Sequence, residues 1–272
     1  MPPVDIFAGM AYQKAGHSMK KLSQLMAAAF LTAAVMCGGT VMAQNNDTEL
    51  YQILNRVTTK ETPNYVSLSP KMQSLVTIAT LSTLGDEDLL SLNIAKALKD
   101  GVAPVEIRET IYQGMAYVGM SYITRAEKVF MQECEKAGVA LPLPSTTTVN
   151  DDNRFNEGLK VQKGIFGSGI DAMHKAAKED EKHLSIDLLT GFCFGDTYTR
   201  TGLTLKEREF LTFVYICALG GCEPQVKAHV AGNISVGNTR QMLIDALVVM
   251  VPYIGFPKTL NAFGMVNEVT AK

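Results

Sequence analysis

A helical pattern that runs from about Leu68 to Glu135 returns about 135 residues later, from Leu203 to the end of the chain. The first copy reads Leu84-Gly85, Asn93, Gly101 and Tyr117-Val118-Gly119. The second reads Leu219-Gly220, His229, Gly237 and Tyr253-Ile254-Gly255. A duplicated set of short helices constrains the fold strongly, because two copies of matching shape can bury their apolar faces on each other. The copies agree in layout but differ in chemistry: one polar slot holds Asn93 in the first and His229 in the second. Reactivity is therefore expected in the second copy.

The helix signals are explicit. Ser69-Pro70 places an N-cap and a first-turn proline at the start of the first copy. Leu75, Ile78, Ala79 and Leu81 follow at helical spacing up to Gly85. A second helix stops at Asp100-Gly101, a third opens at Pro104, and a fourth runs from Ser121 to Ala137. Before them, Asp47 caps a short helix through Val57, and Thr58 to Ser67 reads as a loop. After them, residues 141–153 carry two prolines and three successive threonines and read as a linker. Helices are then expected over Arg154–Lys163, Asp171–Leu189, Gln225–Asn233, Arg240–Val251 and Phe256–Val269, with Thr204 capping the first helix of the second copy. Pro252 should kink or end its helix just before Tyr253. β-branched alternation is scarce, so the fold class is all-α.

The N-terminal region has targeting logic. Met19-Lys20-Lys21 opens a basic stretch, an alanine-rich apolar run follows, and Val41-Met42-Ala43 supplies a cleavage pattern. Residues 1–43 read as an extension plus signal peptide with translation starting at Met19, and the mature chain is expected to be exported to the periplasm. A lipoprotein would use Cys37, which the preceding Met36 disfavours. The remainder divides into a first repeat over 44–140, the linker over 141–153 and a second repeat over 154–272. No other segment reads as a bilayer span. A net charge of −2 argues against nucleic acid as a partner. No cluster has metal-ligand spacing and no glycine-rich phosphate loop is present, so neither metal nor cofactor is expected.

The layout of Leu-Gly, a polar helix, a Gly-terminated turn and Tyr253-Ile254-Gly255-Phe256-Pro257 resembles the carboxymuconolactone decarboxylase family, whose relatives include alkylhydroperoxidase D-type proteins. Phe194-Gly195-Asp196-Thr197-Tyr198-Thr199-Arg200-x-Gly202-Leu203 resembles that family's lead-in to its core repeat, with Tyr198 in place of tryptophan and Asp196 in place of glutamate. The resemblance implies a duplicated alkylhydroperoxidase D-like bundle, a small-molecule substrate and assembly into trimers or hexamers.

It also implies site residues. His229 is the candidate general acid or base, since an unperturbed histidine titrates near pH 6.5. Arg200 and Arg208 are candidates to clamp substrate carboxylates, with a structural ion pair as the alternative. Tyr198 and Tyr253 are candidate pocket residues. The peroxidase relatives use Cys-x-x-Cys-x-x-x-His with an upstream glutamate. Here Cys222 falls at the first cysteine, Gln225 at the second, and Glu209 near the relay glutamate. Thiol chemistry would then need Cys222 alone or resolved by Cys217; the alternative places Cys217 in the core and Cys222 in a turn. Cys134 and Cys193 read as free buried thiols, and His174 and His183 as solvated. Three functions remain open: acid/base lyase or isomerase-like chemistry, thiol antioxidant chemistry, and ligand binding without catalysis.

Overall fold

The chain opens its repeats as helix-start chemistry requires. Ser69 Oγ accepts a hydrogen bond from the Met72 amide, and Thr204 Oγ1 accepts one from Glu207, whose side chain reaches back to the Thr204 amide. Each cap satisfies amides that the first turn leaves without a partner. The structure is a computed structural model that describes residues 48–271. The extension, signal peptide and Cys37 lie outside the described residues. Helix α1 (Thr48–Arg56) belongs for the most part to a first unit ending at Asn55, and Arg56 onward forms a second.

In the second unit a π-helical turn (Val57–Glu61) leads into α2 (Thr62–Tyr65). The first repeat follows as α3 (Pro70–Leu84), α4 (Glu87–Lys99), α5 (Pro104–Gln113), α6 (Met115–Val118) and α7 (Met120–Lys136). Next come α8 (Arg154–Phe166), α9 (Gly169–Ala176) and a long π-helix (His183–Tyr198). The second repeat is α10 (Leu205–Leu219), α11 (Glu223–Ser235) and α12 (Arg240–Thr270). No strand occurs among the described residues. The fold is all-α.

The two copies complete each other. Their first helices, α3 and α10, pack together at the centre; α5 and α6 lie on α10, and α12 lies on α3. Leu75, Ile78 and Leu81 of α3 join Phe210, Phe213 and Val214 of α10 in one core from which water is excluded. Each buried aliphatic or aromatic side chain there contributes roughly 1.5–3 kcal/mol of transfer free energy. A reciprocal polar exchange accompanies this packing. Glu109 of the first copy holds Arg200, which precedes the second. At the matching place in the second copy, Asp245 holds Ser67, which precedes the first, accepting from its amide at 2.8 Å and its hydroxyl at 2.6 Å.

Several expectations are corrected. Residues 58–65 are largely helical rather than a loop. The expected Asp171–Leu189 helix stops at Ala176, and the chain resumes as the π-helix. The two helices expected within Arg240–Thr270 run nearly continuously, and the segment is long and apolar enough to cross a membrane by length and composition only. Its break falls at Gly255 rather than Pro252: Gly255 has φ 73° and ψ 168°. Gly119, its counterpart, has φ 85° and ψ 158° and separates α6 from α7. A positive φ of this kind is open to glycine and strained for other residues, so each copy ends one helix and starts the next at the same glycine.

Candidate active site

The second copy supplies a buried carboxylate–imidazole pair. Glu209 lies on α10 with no side-chain exposure, and His229 lies two turns into α11 with its side chain 10% exposed. The two helices pack side by side, and His229 Nδ1 meets Glu209 Oε1 at 2.7 Å. Gly232 makes this approach feasible, because a Cβ there would fall 2.4 Å from Glu209 Oε1. Asn233 locks the helices by donating to the Glu209 and His229 carbonyls at 3.0 and 2.7 Å. Among the described residues, the ring's only hydrogen bond is the one at Nδ1. Nε2 has no hydrogen-bond partner among the described residues.

Other elements wall the pair. Tyr198, the last residue of the π-helix, donates to Glu209 Oε2 at 2.7 Å and shares a 2.7 Å hydrogen bond with Thr212. Tyr117, from the first copy, lies 3.1 Å from the Tyr198 hydroxyl and presents its ring to His229 edge-to-face at 5.7 Å. Phe166 of α8 does the same at 5.4 Å and is itself packed on Phe194. Cys193 donates its thiol to the Tyr117 hydroxyl at 3.4 Å. Burial drives the Tyr117 and Tyr198 hydroxyls well above their ordinary range, with the nearby Glu209 charge adding to it. Burial likewise pushes the Cys193 thiol up to about 12, so it stays protonated and serves as a donor.

The arginines do other work. Arg208 is fully buried and donates to Glu109 Oε2 at 3.0 Å, to Gln113 Oε1 at 3.0 Å and to the carbonyls of Arg200 and Thr201. Arg200 pairs with both Glu109 oxygens, at 2.9 and 3.2 Å. Arg108 Nε lies 3.4 Å from Glu109 Oε1, and Thr146 of the linker donates to that same oxygen. Burial pushes the Glu109 carboxyl up, but Arg200, Thr146 and Arg208 more than reverse this, and its pKa ends below the ordinary value. Arg200 and Arg208 therefore form the structural ion pair, with Glu109 rather than a substrate as the carboxylate they hold. Their acidic partner was not among the residues considered from sequence.

The remaining candidates lie apart from the pair. Tyr253 is half-buried against the main core; its counterpart Tyr117 takes the place beside His229. Cys222 precedes α11 and donates its thiol to the Gly220 carbonyl at 3.4 Å, with no hydrogen bond to His229 among the described residues. Cys217 is buried in the core, and Cys134, Cys193, Cys217 and Cys222 are all free. His183 is exposed beside Asp187 at 3.6 Å, whereas His174 is half-buried with Nε2 lacking a partner, a departure from the solvated reading. No metal-holding cluster occurs among the described residues. Behind Tyr198 runs an open groove of about 410 Å³ lined by Thr148, Asn153, Lys160 and Val161 among others.

Sequence reasoning found Glu209, His229 and Tyr198 but missed Tyr117, Phe166, Gln113 and Thr212. The available signal was the repeat itself: once copies pair, the third helix of one faces the first helix of the other, and Tyr117 stands where Tyr253 stands in the echo.

Comparison with known proteins agrees with this architecture. The model of the carboxymuconolactone decarboxylase family matches twice, over residues 48–131 and 186–268. A 4-carboxymuconolactone decarboxylase of Acinetobacter baylyi is 25% identical over 121 residues, covering 44% of this chain and 90% of that protein. With both copies matched and the helical duplication evident, this chain belongs to the carboxymuconolactone decarboxylase family.

Proposed function

We propose that the chain is an exported enzyme carrying out cofactor-free acid/base chemistry, as a lyase or an isomerase, on a small organic acid or lactone. One observation carries the reading: a buried carboxylate holds His229 at Nδ1, and Nε2 has no hydrogen-bond partner among the described residues. A histidine so oriented can take a proton from a bound molecule and return it to another atom. Recognition does not run through Arg200 and Arg208, which are already committed to Glu109. The leader-like stretch before Gln44 supports periplasmic action. Exposed Phe256, Leu260 and Met120 support assembly with further copies.

The test is turnover across a panel of lactones and carboxylactones, followed by carbon dioxide release and by loss of the starting isomer. His229→Asn should lower kcat by about 10²- to 10⁴-fold, the usual range for a general acid or base. A panel that gives no turnover, or equal rates in His229→Asn, overturns the reading. The thiol alternative has the position of Cys222 at the start of α11 in its favour. Peroxide consumption abolished by Cys222→Ser, with no lactone turnover, would select it instead.

A further inference from the structure

A single chain of hydrogen bonds leads from the arginine cluster to His229, and both its ends have a forced sense. Arg208 can only donate, so the Gln113 atom 3.0 Å from its Nη1 is the amide oxygen. The Gln113 amide nitrogen therefore faces Thr212, donating to Oγ1 at 3.1 Å. At the far end, an ionised Glu209 can only accept. Tyr198 has one hydroxyl proton and donates it to Glu209 Oε2 at 2.7 Å. The 2.7 Å bond between Thr212 and Tyr198 must then run from Thr212 to Tyr198. Tyr117 likewise donates to Tyr198, at 3.1 Å, and accepts from Cys193. Every link points toward the carboxylate. Gln113, Thr212, Arg208 and Glu209 all have no exposed surface, so water does not offer these groups an alternative partner.

We propose that this one-way relay, begun at Arg208 and passed through Gln113, Thr212 and Tyr198, commits Glu209 Oε2 as an acceptor, so that Oε1 of the carboxylate accepts from His229 and holds the ring in the tautomer that carries its proton on Nδ1. Nε2 then presents a lone pair, so the neutral resting site takes a proton before it gives one. The reaction class is one that opens with proton removal from the substrate. Gln113, Thr212 and Tyr198 are positioning residues: none touches the ring, and Gln113 comes from the copy that lacks the histidine. The inference rests on His229 as the proton-transferring group, but its readout requires no substrate, so it fails or stands apart from that reading.

The test is nitrogen-15 NMR of the histidine rings in the full chain at a pH where His229 is neutral, with His229 assigned from His17→Gln, His174→Gln and His183→Gln variants. The expected wild-type spectrum has Nδ1 protonated and Nε2 as the lone-pair nitrogen. In Glu209→Gln the relay keeps Tyr198 donating, so the new amide turns its oxygen to Tyr198 and its nitrogen to His229. The ring should then switch to the opposite tautomer, with the proton on Nε2. In Glu209→Gln combined with Thr212→Val, Tyr198 is released to accept and the two tautomers should coexist. A wild-type ring protonated on Nε2 overturns the proposal without any variant. So does a folded Glu209→Gln protein whose ring keeps its proton on Nδ1.

Discussion

Glu109 is a single carboxylate surrounded by the guanidiniums of Arg108, Arg200 and Arg208, and its side chain has no exposure to water. Removing a charge of this kind leaves its partners buried without compensation, which typically costs about 3–5 kcal/mol. Glu109→Gln should therefore lower the melting temperature markedly at neutral pH, as read by thermal denaturation. Acid has a related effect. The carboxyl titrates below its ordinary value of 4.5, so its stabilisation is complete above that value and is lost as the pH falls through the lower, folded-state pKa. Wild-type stability should decline below about pH 4.5, and the decline should be shallower in Glu109→Gln. An acid limb of equal slope in both proteins would show that Glu109 is not its source. At this scale the sequence was half legible. His229 and Glu209 stand within one copy and its motif, so their partnership could be suspected. The Glu109–Arg208 pair joins residues nearly a hundred positions apart in different copies, and neither periodicity nor spacing marks it.

Among the elements, the contact between α8 and the π-helix carries Tyr198 and Phe166 to the site. It is unusually close. A Cβ on Gly158 would lie 2.3 Å from the Thr190 carbonyl oxygen, and one on Gly195 would lie 2.3 Å from the Arg154 carbonyl oxygen. Backbone cannot yield as a flexible side chain can, so the helices must separate if either position gains a methyl. Gly195→Ala should cost about 1–3 kcal/mol, the usual range for overpacking. It should also reduce turnover, although Gly195 touches neither Glu209 nor His229. Hydrogen exchange would show the cause as faster exchange confined to residues 154–198; unchanged exchange there would refute it. Helix starts such as Ser69-Pro70 and Thr204 were readable because capping is local chemistry. The π-helix was not, because the spacing that suggests a helix up to Leu189 does not distinguish a wide turn from an ordinary one. Wide-turn helices of this type often mark functional sites, and here one ends on the tyrosine that donates to Glu209.

For the whole molecule, the duplication is the organising fact, and the echo between Asn93 and His229 made it legible from the start. What the echo did not reveal is that each copy covers the other's first helix. Residues 44–140 or 154–272 expressed alone would expose the central faces of α3 or α10, which are otherwise fully buried. Neither half should show a cooperative thermal transition by circular dichroism, and co-expression should restore one. A half that melts cooperatively alone would mean that the copies are independent domains. The same interlocking bears on mutation. The first copy has Asn93 where the second has His229, yet it supplies Tyr117 and Gln113 to the surroundings of that histidine. A substitution in the first copy can therefore reshape the surroundings of a histidine that this copy does not contain.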